Sequence, residues 1–156
     1  MGRFPGGKLD HLAGQGLWSK GFETMIEVGM TASRSKTITD DDIRTFARVS
    51  GDHNPVHLDD DYAATTQFGR RIAHGLLTAS LISTTLADDL PGPGTVYLSQ
   101  ALNFKAPVFI GDEITATVEV IQYRERSRVT TLHTTCTNQE GMLVLDGEAV
   151  VLAPEV

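Results

Sequence analysis

A carboxylate and an imidazole lie close together in the segment 50–58, at Asp52 and His57. Their spacing of five residues is poor for one helix face, where neighbouring side chains are three or four residues apart. Pro55 biases Asn54 away from helical backbone, so the segment is predicted to be a tight, non-helical loop that aims both side chains at one point. Such a pair, converging on a water molecule, is the minimum set of groups for moving water and protons. The same residues also fit two incidental turns, so spacing alone leaves a catalytic and a structural loop as alternatives.

The residues around this pair carry a longer pattern, which resembles the signature of the MaoC-like hydratases, the (R)-specific enoyl-CoA hydratases. The similarity covers about residues 38–152 in the same order as in the family, and residues 1–30 have no counterpart. The segments that carry it are Phe46–His57 followed by Ala63, then Ala64–Phe68, Ala73–Leu77, Leu102–Val108 and Gly111–Ile114. The aspartate-to-histidine loop is the most specific part of this pattern.

The resemblance implies an α+β hotdog fold, in which an antiparallel sheet wraps around a long central helix. It also implies a hydro-lyase that hydrates trans-2-enoyl-CoA reversibly to (R)-3-hydroxyacyl-CoA. Asp52 then matches the base toward water, and His57 matches the residue that orients this water and shares the proton transfer. If both act through one water, the addition is syn. The sequence does not decide which of the two protonates the α-carbon.

Gly75 lies at the predicted start of a long apolar helix, where unpaired N–H donors can stabilise an anion. Glycine also lets a thioester approach the backbone closely. The resemblance implies that this N–H binds the thioester oxygen, and a plain helix-start glycine is the alternative. Further along the helix, the resemblance matches Ser83 to a serine that hydrogen-bonds the catalytic site, although a small packing residue fits equally well.

Five more residues are candidates for supporting or binding roles. Asn54 is expected to brace the loop through its side chain. His74 precedes the oxyanion glycine and is either a supporting residue of the site or a structural histidine. Arg70, Arg71 and Lys105 flank segments that match the family. They are candidates for contacts with the phosphates of coenzyme A, with a solvated face as the alternative for each.

The sequence argues against a metal and against a separate cofactor. His53 and His57 have no cysteine or third histidine at metal-ligand spacing. No glycine-rich dinucleotide or phosphate loop is present in the sequence. The resemblance implies that coenzyme A enters as part of the substrate, an acyl-CoA thioester.

The 156 residues fit one domain with a core of its own. The net charge of −7, with no basic run, argues against nucleic acid as a partner. The single cysteine, Cys136, is expected to be a buried structural thiol and not a nucleophile. No apolar run is long enough to span a membrane, and the first residues lack the apolar core of a signal peptide. We therefore expect a cytoplasmic protein without a membrane partner.

The patterns predict a glycine-rich, irregular arm over residues 1–30 and one MaoC-like hotdog domain over residues 31–156. Thr39 and Asp42 form a capping box that begins a short helix, which ends at Gly51. A helix without charge before its end is predicted over 75–90 and is expected to be buried on nearly all sides. The other predicted elements are a strand over 31–38, a short helix over 59–68, and four strands over 95–104, 113–123, 128–137 and 143–151.

The hotdog fold that the resemblance implies usually joins its sheets edge to edge, which hides an edge strand, so we expect a homodimer. The uncharged stretch Thr95–Ala101 is consistent with such a joined edge. Two other classes of function compete with the hydratase. One is a thioesterase, which would aim the water at the carbonyl carbon, and the other is a non-catalytic acyl-CoA-binding module. A dehydratase of branched, dicarboxylic or carrier-protein-bound hydroxyacyl thioesters is a closer alternative. The sequence does not set the length of the acyl chain.

Overall fold

The computed structural model describes residues 25–155 of the chain, so most of the predicted N-terminal arm lies outside the described residues. The elements in chain order are β1 (Thr31–Thr37), α1 (Asp40–Ser50), α2 (Pro55–Leu58), α3 (Asp60–Ala64), α4 (Gly75–Asp88), β2 (Val96–Phe104), β3 (Glu113–Arg124), β4 (Val129–Thr137) and β5 (Leu143–Leu152). Every strand and helix predicted beyond the arm is present, although the helix predicted over 59–68 is shortened to α3. Within the described part of the chain, no helix is long and apolar enough to cross a membrane.

The five strands form one antiparallel sheet in the order β1-β3-β4-β5-β2. Helix α4 lies against the inner face of this sheet, where alternate residues of the central strands are fully buried, among them Val118, Leu132 and Ala149. A sheet wrapped around one long helix confirms the expected α+β hotdog fold. Cys136 lies on the same inner face, and burial raises the pKa of its thiol to about 12, which supports its structural role.

Helix α1 begins and ends as its sequence predicts. The Thr39 hydroxyl accepts a hydrogen bond from the Asp42 N–H at 3.1 Å, and the Asp42 carboxylate accepts one from the Thr39 N–H at 2.9 Å. The capping box is therefore complete. Gly51 closes the helix with a φ of 80°, a left-handed conformation that glycine adopts without steric cost. Because Ile43 and Ala47 anchor the helix in the core, the chain leaves Gly51 in a fixed direction.

The prediction of a wholly non-helical loop after Gly51 is wrong. Pro55 begins the four-residue helix α2, in which His57 is the third residue. Asn54 keeps a non-helical backbone, and its side chain caps the helix by accepting from the Val56 N–H at 3.2 Å. Proline suits the first position of a helix, since an N–H there would have no partner within the helix. The imidazole is therefore positioned by a helical turn.

Helix α4 is buried on only part of its surface, so the prediction of burial on nearly all sides is wrong for the single chain. Ile82 and Leu86 pack into the core. The opposite side is exposed in the single chain, and we call it the open side of α4: Leu76, Ser80, Ser83, Thr84 and Ala87. At the end of the helix, Arg34 of β1 pairs with Asp88 and Asp89, which holds α4 against the sheet.

Candidate active site

Asp52 lies in a short loop that is held by its own hydrogen bonds. Its Oδ1 accepts from the Asn54 backbone N–H at 3.1 Å, and its own N–H donates to Ser50 Oγ at 3.2 Å. The Asn54 side chain bonds onward to α2, so consecutive turns constrain the backbone on both sides of Asp52. Asp52 itself is exposed and borders a cavity.

His57 is 8 % exposed, and its ring is held by the backbone behind it. Nδ1 donates to the carbonyl oxygen of Ile72 at 2.8 Å. Since a carbonyl only accepts, the neutral ring carries its hydrogen on Nδ1 and a free lone pair on Nε2. Burial lowers the pKa of His57 and the neighbouring His74 lowers it further, against the opposing effects of the Ile72 carbonyl and the Asp52 carboxylate. A neutral imidazole of this kind can accept a proton from water.

His74 contacts both of these residues from the N-terminal end of α4. Its Nε2 donates to the backbone carbonyl oxygen of Asp52 at 3.0 Å. Its ring stacks on the ring of His57, with the centroids 3.9 Å apart and the planes 31° from parallel. One ring nitrogen or carboxylate oxygen from each of Asp52, His57 and His74 lies within 4.8 Å of the others. Two imidazoles and a carboxylate therefore share one small region.

The N-terminus of α4 provides hydrogen-bond donors beside these side chains. No side chain caps the helix, and within residues 25–155 no acceptor is hydrogen-bonded to the N–H groups of Gly75 and Leu76. The helix dipole makes such free donors a favourable place for negative charge. Gly75 and Leu76 both border the same cavity as Asp52 and His57.

The cavity has a volume of about 700 Å³ and a mostly apolar wall. Its largest apolar lining residues come from four separate parts of the chain: Phe46, Phe68, Ile72, Leu76, Phe104, Val108 and Val144. A concave apolar site with a few convergent polar groups is typical of a small-molecule binding site. Here the polar groups include an acid, two imidazoles and the end of a helix.

The chain matches the family model described as the MaoC like domain over residues 21–141. It belongs to the MaoC-like family. A curated relative from Rhodospirillum rubrum, an (R)-specific enoyl-CoA hydratase, is 50 % identical over 83 % of this chain and 89 % of its own length. Two solved structures resemble the fold closely. The (R)-hydratase from A. caviae involved in PHA biosynthesis has a TM-score of 0.81 and 50 % identity over 83 % of this chain and 98 % of its own. The R-hydratase PhaJ1 from Pseudomonas aeruginosa, in the unliganded form, has a TM-score of 0.81 and 48 % identity over 85 % of each chain.

The structure brings most of the predicted MaoC-like site residues together. Asp52, His57, His74 and Gly75 all border the cavity, and Asn54 braces the loop beside them. Ser83 is different, because it lies on the open side of α4 and does not border the cavity of the single chain. The geometry of one chain therefore gives Ser83 no contact with the acid–base pair.

Arg71 is already occupied by two carboxylates. Its Nη1 lies 2.7 Å from Asp40 Oδ1, and its Nε lies 2.7 Å from Asp60 Oδ1. The two hydrogen-bonded acids raise the pKa of the guanidinium, whose side chain is only 9 % exposed. These contacts favour a structural role that joins α1 to α3, and they leave little reason to invoke a phosphate.

Arg70 and Lys105 remain the exposed cations near the site. The guanidinium carbon of Arg70 lies 3.9 Å from the centroid of the Phe109 ring, an attractive cation–π arrangement. Lys105 follows β2 directly and borders the cavity. Of the three predicted phosphate contacts, Lys105 is therefore the one that the structure places at the cavity itself.

Sequence reasoning missed the aromatic residues that shape the cavity and the stacking of two histidines. Phe68 and Phe104 both lie in segments that carry the family pattern, but nothing in their spacing indicates that they meet across one cavity. His57 and His74 are far apart in sequence, so their contact depends on how α4 packs beside α2. The absence of a third histidine at metal-ligand spacing was therefore an incomplete argument against a metal.

Proposed function

We propose that this protein is an (R)-specific enoyl-CoA hydratase, which adds water reversibly to trans-2-enoyl-CoA and yields (R)-3-hydroxyacyl-CoA. The observation that carries the proposal is the convergence of Asp52, the free Nε2 of His57 and the Gly75 N–H on one apolar cavity. The relative from Rhodospirillum rubrum and the solved structure from A. caviae, each 50 % identical, support the same activity and the same handedness.

In the proposed complex, the thioester carbonyl oxygen binds the free N–H of Gly75. Negative charge builds on this oxygen as water adds to the β-carbon, and the N-terminus of α4 stabilises that charge. The enoyl group is planar. Its carbonyl oxygen faces the Gly75 N–H, its α-carbon faces the acid–base pair, and its β-carbon faces the water. Three anchored points leave it one productive way to lie.

One water held between Asp52 and His57 supplies everything that is added. Asp52 acts as the base toward this water, and His57 orients it through Nε2 and shares the proton transfer. The water oxygen bonds to the β-carbon, and its proton passes through the pair to the α-carbon. Because both arrive from one side of the double bond, the addition is syn, and the reverse sequence dehydrates the 3-hydroxyacyl thioester.

The proposed substrate enters as a coenzyme A thioester. Its acyl end suits the apolar wall. We propose that Lys105, which borders the cavity, contacts a phosphate of the coenzyme. Adding water to a double bond transfers no electrons to or from a carrier. The proposed reaction therefore needs no cofactor beyond the coenzyme A that the substrate carries.

We propose a homodimer as the active form. The strand order leaves β1 and β2 at the edges of the sheet. β2 contains no charged residue, and Val96, Leu98 and Phe104 are 52 %, 54 % and 55 % exposed on it. The open side of α4 is a second uncovered surface of the single chain. A second copy, related by a two-fold axis and joined along β2, would extend the sheet and cover its apolar edge.

Hydration of crotonyl-CoA is the direct test of the proposed function. We expect the absorbance of the enoyl thioester to fall without release of free thiol, whereas a thioesterase releases thiol and a binding module does neither. The product is then offered to dehydrogenases specific for each 3-hydroxyacyl enantiomer. Oxidation only by the (S)-specific enzyme would contradict the assignment, and Asp52→Asn purified in parallel controls for contaminating hydratase.

The same assay shows whether the acyl group of the substrate is carried by coenzyme A or by acyl carrier protein. Coenzyme A and acyl carrier protein present the acyl group on the same pantetheine arm. Thioesters of both are compared at matched acyl chains, and a series of increasing chain length then measures the depth of the acyl site. Much faster turnover of the carrier-protein thioester would replace coenzyme A as the proposed carrier.

A further inference from the structure

His74 occupies the N-cap position of α4 but does not cap the helix. N-cap residues are usually Ser, Thr, Asp or Asn, whose side-chain oxygen accepts from the first helical N–H groups. The imidazole of His74 instead donates through Nε2 to the carbonyl oxygen of Asp52 at 3.0 Å. The residue is 2 % exposed. Its side chain is therefore directed toward the acid–base pair and away from its own helix.

Each part of the proposed site contacts His74 or adjoins it. The ring lies 3.9 Å from the ring of His57, and the Nε2–H holds the Asp52 carbonyl. The backbone carbonyl of His74 accepts from the Thr78 N–H at 3.3 Å, which fixes the first turn of α4. Gly75, with its free N–H, is the next residue. One side chain and its backbone thus join the acid, the imidazole and the helix donors.

Packing alone does not explain an imidazole at this position. Phe46 packs on His74, with the ring centroids 4.9 Å apart, so an aromatic hydrocarbon would suit the surroundings. Among residues 25–155, the Nδ1 of His74 and the Oγ1 of Thr78 are the buried side-chain polar atoms without a hydrogen-bond partner. An unpaired buried polar atom costs free energy, which a phenylalanine would avoid. The polar edge of His74 is therefore best explained by its bond to Asp52.

We propose that His74 is the positioning residue of the hydratase site. It keeps Asp52 and His57 at a fixed position relative to the free N–H groups of α4. It acts through these groups and does not contact the reacting atoms of the substrate. This inference rests on the proposed hydratase function. It predicts that His74 affects the rate of the chemical step more than the binding of the substrate.

The pH at which His57 is protonated reports on its contact with His74, and it can be measured without a substrate. Four titratable groups surround His57: Asp52 in the loop, His74 before α4, Arg71 and Lys105. The Nη1 of Arg71 lies 3.4 Å from the carbonyl oxygen of His57, and Lys105 lines the same cavity. Burial is the largest cause that lowers the pKa of His57, and His74 adds to it while Asp52 opposes it. A neutral side chain in place of His74 therefore moves the protonation of His57 to higher pH.

Two variants separate the two contacts of the ring. His74→Gln keeps an N–H donor for the Asp52 carbonyl but removes the ring, and His74→Phe keeps a ring over His57 but removes the donor. We expect each to lower kcat by roughly tenfold to hundredfold, because a displacement of about 1 Å can cost about 10²-fold, and to change KM less. His133→Gln is the matched control, since His133 pairs with Asp146 on the outer face of the sheet.

An NMR titration of the five histidines provides the decisive measurement. The His57 signal is assigned through its loss in His57→Asn. In both His74 variants we expect this signal to titrate at higher pH than in the wild type, and in His133→Gln at an unchanged pH. The acid limb of the kcat/KM profile should move in the same direction.

The inference is overturned if wild-type protein hydrates crotonyl-CoA while both His74 variants keep its kcat and its His57 titration. It is also overturned if kcat falls only in proportion to the folded fraction, with His57 titrating as in the wild type. His74→Gln alone decides the outcome if His74→Phe does not fold. An inactive wild type would instead contradict the proposed function, and the titration would still report on the contact.

Discussion

The ring of Phe104 packs so closely on Gly75 that a methyl group at position 75 would lie 2.7 Å from its Cε1. Gly75→Ala must therefore displace either the ring or the N-terminus of α4. The N–H itself remains, so the loss should be smaller than the 10²- to 10³-fold that follows removal of an oxyanion donor. We expect kcat/KM for crotonyl-CoA to fall by about tenfold, with the thermal unfolding midpoint little changed.

A second substitution separates packing from the approach of the thioester to the backbone. Phe104→Leu in the Gly75→Ala background gives the added methyl group room, and Phe104→Leu alone is the reference. If the double variant recovered the activity of the reference, Gly75 would serve packing only. A loss that persists in the double variant supports the role of glycine in letting the thioester reach the N–H.

Asp52→Asn and His57→Asn should each lower kcat by at least about 10²-fold while the fold is retained, because general acid–base groups contribute about 10² to 10⁴ each. The double variant should be little worse than either single one, since groups that act as a unit lose most of their effect with the first deletion. Steady-state hydration of crotonyl-CoA measures all three variants. A single variant that kept more than about half of the wild-type kcat would remove that residue from the mechanism.

The local part of the site could be predicted from the sequence, and the parts that depend on tertiary contacts could not. Asp52, Asn54 and His57 lie in one short segment, so their types and order indicate an acid–base loop. Helix α2 was missed because proline disfavours helix at the residue before it but favours helix from its own position onward. The bias of proline against helix therefore holds for Asn54, whose backbone is not helical, but it does not apply to the residues from Pro55 onward.

The burial of α4 shows a second limit of sequence patterns. A helix without charges before Asp88 is expected from its composition to be covered on most sides, but the open side of α4 is exposed in the single chain. Composition does not tell whether the sheet of the same chain or a second chain provides the cover. The contacts of Phe104 with Gly75 and of His74 with His57 could not be predicted for the same reason, because each joins different elements of the fold.

The pH dependence of hydration should reflect the neutral state of His57. Burial lowers the pKa of this imidazole from its ordinary value of 6.5, so the neutral ring persists below that pH. Activity that requires the free Nε2 is therefore retained as the pH falls past 6.5, and it is lost only as the pH falls through the lowered value. A profile of kcat/KM against pH measures the acid limb. A limb centred above 6.5 would contradict the neutral-imidazole mechanism.

We expect Arg71 to have a structural role and Lys105 to have a role in substrate binding. Arg71→Ala breaks charged hydrogen bonds to Asp40 and Asp60 and should lower the free energy of unfolding by about 1–3 kcal/mol, toward the lower value because both acids are largely exposed. Lys105→Ala should leave stability unchanged and raise KM for crotonyl-CoA. Crotonyl-pantetheine, which lacks the coenzyme phosphates, is the control substrate. A KM effect of Arg71→Ala on the coenzyme A substrate alone would restore this residue as a phosphate contact.

The last prediction concerns the apolar edge strand β2. If two copies join along β2, a charge at Leu98 would have to be buried in the new interface, so Leu98→Lys should shift the protein from dimer to monomer. Ile121→Lys is the matched control, because Ile121 is an apolar residue, 43 % exposed, on the interior strand β3, which pairs with β1 and β4 and not with another chain along β2. Sedimentation velocity at micromolar concentration measures both variants and the wild type. A monomeric wild type, or dissociation caused equally by both substitutions, would contradict an interface along β2. A dimer lost only in Leu98→Lys, together with reduced hydration of crotonyl-CoA, would show that activity depends on this association.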